Sequence, residues 1–155
     1  MKKMNTKGFT LIELLAVIVI MGILMLVAIP AVQRYITQSR KNTYVNTVKE
    51  YYNAARTAYA ADKINCDSAT TCYVTFAQIK DNFLDSGGDS PYGTFNSDSR
   101  IIFNIASNGK VTYTIAARDA KNYYINGSPS AINGDSVKVD SSSAISGGTQ
   151  ASIVQ

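Results

Sequence analysis

The sequence predicts an α+β fold: one long N-terminal helix, apolar in its first half and amphipathic in its second, packed against a small antiparallel β-sheet. Three features predict it. Leu14 to Val32 is a run of nineteen residues without a charge or a side-chain amide. Residues 33–62 lack glycine and proline and repeat apolar residues every three or four positions, the period of an amphipathic helix. From Arg100 the period shortens, and β-rich runs alternate with Asn-Gly turns.

The apolar run comes first. A helix of nineteen residues is about 28 Å long, close to one hydrocarbon thickness of a bilayer. Lys2, Lys3 and Lys7 precede it, and Glu13 sits at its mouth. A charge within a membrane helix costs on the order of 2.5 to 3.5 kcal/mol unless it finds a partner, so a plain single-pass anchor leaves Glu13 unexplained. A cleaved secretory signal would be shorter and would end in small residues. Here Gln33 follows Ile29, Pro30, Ala31 and Val32, with no A-x-A pattern. A buried soluble helix would be shorter too, and would not carry three lysines ahead of it.

Gly8-Phe9-Thr10-Leu11-Ile12-Glu13-Leu14-Leu15, behind a lysine-rich leader, resembles the amino-terminal signature of type IV pilins and the related pseudopilins. The resemblance covers about the first thirty-five residues and lies in the fixed order of residues between leader and spanning helix. It implies that a membrane peptidase cuts between Gly8 and Phe9, that Phe9 becomes an N-methylated terminus, and that Glu13 is the glutamate retained for assembly. Gly22 and Pro30 match the small and helix-breaking positions of the family's first helix. Beyond Tyr35 the resemblance is one of architecture, the pilin fold.

The implied organisation is a leader peptide at 1–8, a transmembrane and assembly half of the helix at 9–32, and an extracellular domain at 33–155. Within that domain the expected parts are a helix over 33–62, a connecting loop over 63–99, a β-sheet over 100–140 and a flexible tail over 141–155. The 155 residues leave room for a single modest domain beyond the anchor. The formal charge of +4 comes mostly from the leader: without its three lysines, twelve basic residues face eleven acidic ones. Basicity therefore speaks to membrane orientation, lysines inside, and direct nucleic-acid binding is not indicated.

Along the amphipathic half, Val45, Val48, Tyr52, Ala55 and Tyr59 form one apolar stripe suited to packing on a sheet. If it continues the membrane helix, one element runs from Phe9 to about Asp62, with a bend expected at Pro30, where a hydrogen bond is lost. The connector carries Cys66 and Cys72, a short helix over 75–83, and a glycine-rich turn over 85–93. Two cysteines on an exterior chain favour a disulfide; a free thiol pair is the alternative. Arg100 to Ala106 and Lys110 to Ala117 form a hairpin about Ser107-Asn108-Gly109, with Val111, Tyr113 and Ile115 facing the helix. Short strands are expected at 122–125 and 136–139, with turns at Asn126-Gly127 and Asn133-Gly134. The small, polar tail from Ser141 suits mobility or a late edge strand.

The chain has no histidine, which excludes Ser-His-Asp and Cys-His catalysis and histidine-ligated metals. Asp85, Asp89 and Asp98 lie in an oxygen-rich loop that calcium would like, yet without EF-hand spacing, and solvated turns explain them more simply. Asn126-Gly127-Ser128 fits the N-glycosylation pattern but reads more simply as a turn. No catalytic residue, metal or cofactor is expected. The resemblance implies a structural subunit, processed and polymerised through its helix into a surface filament, acting in adhesion, motility or a related surface function. Its partners would be further copies and other pilins, the prepilin peptidase and methyltransferase, the assembly machinery and, before assembly, the membrane. The alternative is a pseudopilin of a type II secretion system or a DNA-uptake apparatus.

Overall fold

The computed structural model describes residues 8–85, 88–140 and 145–154. The expected leader therefore falls outside the described residues except for Gly8, as do 141–144 and 155 of the expected tail. The chain separates into two compact units, Met1–Thr37 and Gln38–Gln155. A single helix, α1, runs Leu11–Ala60 and carries Pro30 inside it without interruption. It ends in a Schellman motif: Asp62 takes the left-handed conformation (φ 55°), its N–H donates to Tyr59 O (3.1 Å), and the Lys63 N–H donates to Ala58 O (2.9 Å).

In the second unit α1 buries Tyr44, Val45, Thr47, Val48, Tyr51, Ala55 and Ala58, the stripe that helical spacing puts on one face. Against it lies a six-stranded sheet ordered β6-β5-β4-β3-β2-β7. Its strands are β2 (Thr71–Thr75), β3 (Arg100–Ile105), β4 (Val111–Arg118), β5 (Tyr123–Gly127), β6 (Lys138–Val139) and β7 (Thr149–Gln150). All neighbours are antiparallel except β2 and β7, which run parallel. The α+β class is as the sequence predicts, and the hairpin turns where Asn-Gly placed it, with Gly109 at φ 79°. Aromatic rings carry much of the helix–sheet contact: Tyr52 meets Tyr113 edge-on at 5.3 Å and Tyr59 meets Phe103 at 5.1 Å. Tyr51 stacks on Phe76 at 4.0 Å, and its hydroxyl donates to Gly88 O (2.7 Å).

Three expectations differ from what is found. The segment 63–99 is not a connecting loop, because β1 (Ile64–Asn65) and β2 lie within it and Cys72 and Val74 of β2 are fully buried. Polar and apolar residues alternate in Thr-Cys-Tyr-Val-Thr, one face to the core. The described part of the tail is not a flexible end but takes the edge-strand alternative: β7 pairs with β2 at the edge of the sheet, and β8 (Ser152–Ile153) pairs with β1. Asn126-Gly127 is not a turn but the end of β5, with Gly127 opposite Ile115. In the oxygen-rich loop Asp89 pairs with Lys80 (2.9 Å), and the described residues contain no group of three or more acidic or cysteine side chains placed to hold a metal.

α2 (Phe76–Phe83) starts with a capping box. Its Thr75 hydroxyl accepts from Gln78 N, and the Gln78 side chain accepts from Thr75 N (3.0 Å). One carboxylate is part of the core. Asp119, fully buried, accepts from Ser90 Oγ (2.7 Å), Lys121 N (2.9 Å) and Tyr123 N (3.0 Å), which ties the loop before β3 to the β4–β5 turn.

Candidate assembly and processing segment

Gly8, Phe9 and Glu13 lie together at the start of α1. Among the described residues nothing stands within 4 Å of the position a Gly8 side chain would take, and Phe9 is 80% exposed. Helix formation begins two residues later through Thr10. Its hydroxyl accepts from Glu13 N (3.4 Å), while one Glu13 oxygen, Oε2, accepts from Thr10 N (2.8 Å) and Thr10 Oγ1 (2.7 Å). Thr10 and Glu13 thus form a capping box at three-residue spacing, which satisfies backbone donors that a helix start leaves orphaned. The carboxylate is thereby turned toward the N-terminal end of α1, where the helix dipole favours negative charge.

Every described residue from Gly8 to Arg40 is exposed. Leu11, Ile12, Leu14, Leu15, Ile18 and Leu24 are among those left bare. This is the one helix among the described residues long and apolar enough to cross a membrane, by length and composition. A continuous apolar cylinder of this extent calls for lipid or other helices around it. Gly22 has open space about its Cα, a point where a neighbour's backbone can approach closely. Pro30 supplies no N–H, so the carbonyl of Leu26 loses its usual helical donor.

Cys66 and Cys72 are joined as a disulfide, with Cα atoms 5.7 Å apart. They lie within the second unit, at the end of β1 and in β2, and are separate from the segment around Glu13. Sequence reasoning missed Thr10, although Thr-Leu-Ile-Glu ahead of an apolar run is the spacing of a capping box.

Comparison with known proteins places the chain in a family. Residues 3–29 match the prokaryotic N-terminal methylation motif. The type IV major fimbrial protein FimA of Dichelobacter nodosus is 38% identical over 82 residues, 53% of this chain and 48% of FimA. The fimbrial protein EcpC of Eikenella corrodens is 45% identical over 60 residues, 34% of this chain and 39% of EcpC. The chain thus spans about half or less of these two. The type IV narrow pilus major component PilA5 of Thermus thermophilus is 33% identical over 113 residues, covering 73% of this chain and 89% of PilA5. The chain belongs to the type IV pilin family. No solved structure matches this pilin. Its matched motif ends one residue before Pro30 and takes in Gly8, Phe9, Thr10, Glu13 and Gly22.

Proposed function

We propose that the chain is a structural subunit of a type IV pilus, whose function is polymerisation and display rather than catalysis. In this reading prepilin peptidase cuts between Gly8 and Phe9, the new Phe9 amine is methylated, and the subunit waits in the membrane through residues 9–32. Its C-terminal domain faces outward until the assembly machinery packs α1 of many copies into a filament. The observation that carries the reading is the fully exposed apolar half of α1 with one capped carboxylate at its mouth. An anchor needs only the apolar area; a carboxylate there is costly and must be compensated.

Cleavage supplies the compensation. The amine created at Phe9 stays protonated after methylation and lies one residue before Thr10, on the side toward which the Glu13 carboxylate is turned. Glu13 Oε2 is held by Thr10, whereas Oε1 accepts no hydrogen bond among the described residues. That oxygen is open to the amine of the same chain or of a neighbouring copy, and the low dielectric among packed helices strengthens the pairing. Register in the filament then depends on one charge pair.

The test is the filament yield against the membrane pool for Glu13 variants. Glu13→Val is expected to insert and to be cleaved at Gly8, yet to leave the chain in the membrane. Glu13→Asp, with a shorter reach, is expected to assemble poorly. Normal filaments from Glu13→Val would remove the carboxylate from assembly and return the segment to a plain anchor.

A further inference from the structure

The C-terminal residues join the same two strands that the disulfide joins. Among the described residues β1 pairs only with β8, Ile64 opposite Ile153 and Asn65 opposite Ser152, in a two-stranded sheet separate from the six-stranded one. β7 pairs with β2, Cys72 opposite Thr149 and Tyr73 opposite Gln150. Between β7 and β8 the buried Ala151 donates its N–H to Tyr73 O (2.8 Å), and just after β8 Val154 donates to Lys63 O (2.9 Å). Residues 149–154 thus strap β1 to β2 through backbone hydrogen bonds. The Cys66–Cys72 bridge spans the same gap covalently.

A two-stranded ribbon is marginal alone, so β1 and β8 depend on what fixes β1 beside the main sheet. On one side β1 is fixed by the end of α1, on the other by the disulfide. The loop that the disulfide closes holds two successive non-glycine residues, Asp67 and Ser68, at φ 42° and 63°. Side chains disfavour that conformation, so the loop would relax once the bridge no longer closes it. β3 touches this arrangement through β2 and through the Ile105 N–H, which donates to Thr70 O inside the disulfide loop (2.8 Å), whereas β4 and β5 pair with neither β1 nor β2 and keep their own ladder.

We propose that the disulfide gates a C-terminal strap. Oxidation of the two thiols, with two protons and two electrons passing to a disulfide oxidant that becomes a dithiol, locks residues 149–154 across β1 and β2. Reduction by a dithiol returns those protons and electrons to the two sulfurs and releases the strap. The released strap leaves the β2 edge with unpaired backbone groups, open to pairing with another chain. The coupling is reciprocal: a docked strap protects the bridge from reduction by the factor by which the bridge favours docking.

The test uses the full chain in detergent micelles, oxidised, reduced with dithiothreitol, or as the Cys66→Ser/Cys72→Ser variant, with hydrogen exchange read at individual amides. Opening the bridge is expected to speed exchange at Ala151 and Val154 about tenfold or more, with Ile115 and Ile125 unchanged. In a second arm, a chain ending at Gly148 is expected to be half-reduced at a dithiol-to-disulfide ratio lower by that same factor. Unchanged exchange in the strap on reduction would overturn the proposal. So would loss of protection in β4 and β5 together with the strap, or an unshifted ratio in the shortened chain.

Discussion

Glu13 is legible at the level of a single residue because a carboxylate beside nineteen uncharged positions has no cheap explanation. What holds it is equally local. Thr10→Val removes the hydroxyl from the capping box and is expected to weaken the first turn of α1 by about 1 kcal/mol, seen as faster amide exchange at residues 11–13, whereas Thr10→Ser keeps the bonds. Asp119 lies at the other extreme. Its carboxylate meets Ser90 from 29 positions away, a contact that no local pattern announces. Asp119→Ala would leave the buried Ser90 hydroxyl, and the part-buried N–H groups of Lys121 and Tyr123, without their acceptor. A loss of about 3 kcal/mol or more is expected, read as a lower denaturant midpoint at unchanged slope.

Elements were readable in proportion to their length and the locality of their partners. α1 shows its period over dozens of residues, and the β3–β4 hairpin is announced by Asn-Gly between two alternating runs. β2 alternates over only five residues and finds its partners in β3 and the tail, far along the chain, so it read as connector. β7 and β8 have two residues each, too few for any period, and what fixes them is pairing to β2 and β1. Two changes test how these pieces are held. The disulfide closes a very short loop, and its removal is expected to cost about 2 kcal/mol on the chain-entropy model, measured by chemical unfolding of Cys66→Ser/Cys72→Ser. Gly148, at φ 79° and against the backbone of Thr71 and Cys72, admits no side chain without strain. Gly148→Ala is expected to cost about 1 to 2 kcal/mol and to loosen residues 149–154 before any other strand, as read by amide exchange.

For the whole molecule, the raised phenols among its ten tyrosines put one pH-dependent window of stability at high pH. Burial, with Asp89, Glu50 and Asp81 nearby, pushes the Tyr51 phenol from 10.0 up to about 12. Burial likewise raises Tyr44, with Asp119 adding to it and Arg118 opposing, and raises Tyr92 and Tyr113. These groups keep their protons longer in the folded chain than in the unfolded one. Below pH 10 both states hold them and stability from this source is complete; as pH rises from 10 through 12 the unfolded state loses protons first and stability falls. Near-ultraviolet circular dichroism over that range is expected to show loss of tertiary signal, with Tyr51→Phe shifting the fall to higher pH. The claim that matters most for the molecule concerns its other end, where sequence, geometry and family meet at Gly8 and Phe9. Mass spectrometry of filaments sheared from cells tests it most directly. The account predicts this chain in the filament fraction, beginning at Phe9 and carrying one methyl group on its terminal amine. A chain that keeps residues 1–8, begins at Gln33, or is found only in the membrane and never in filaments would contradict it.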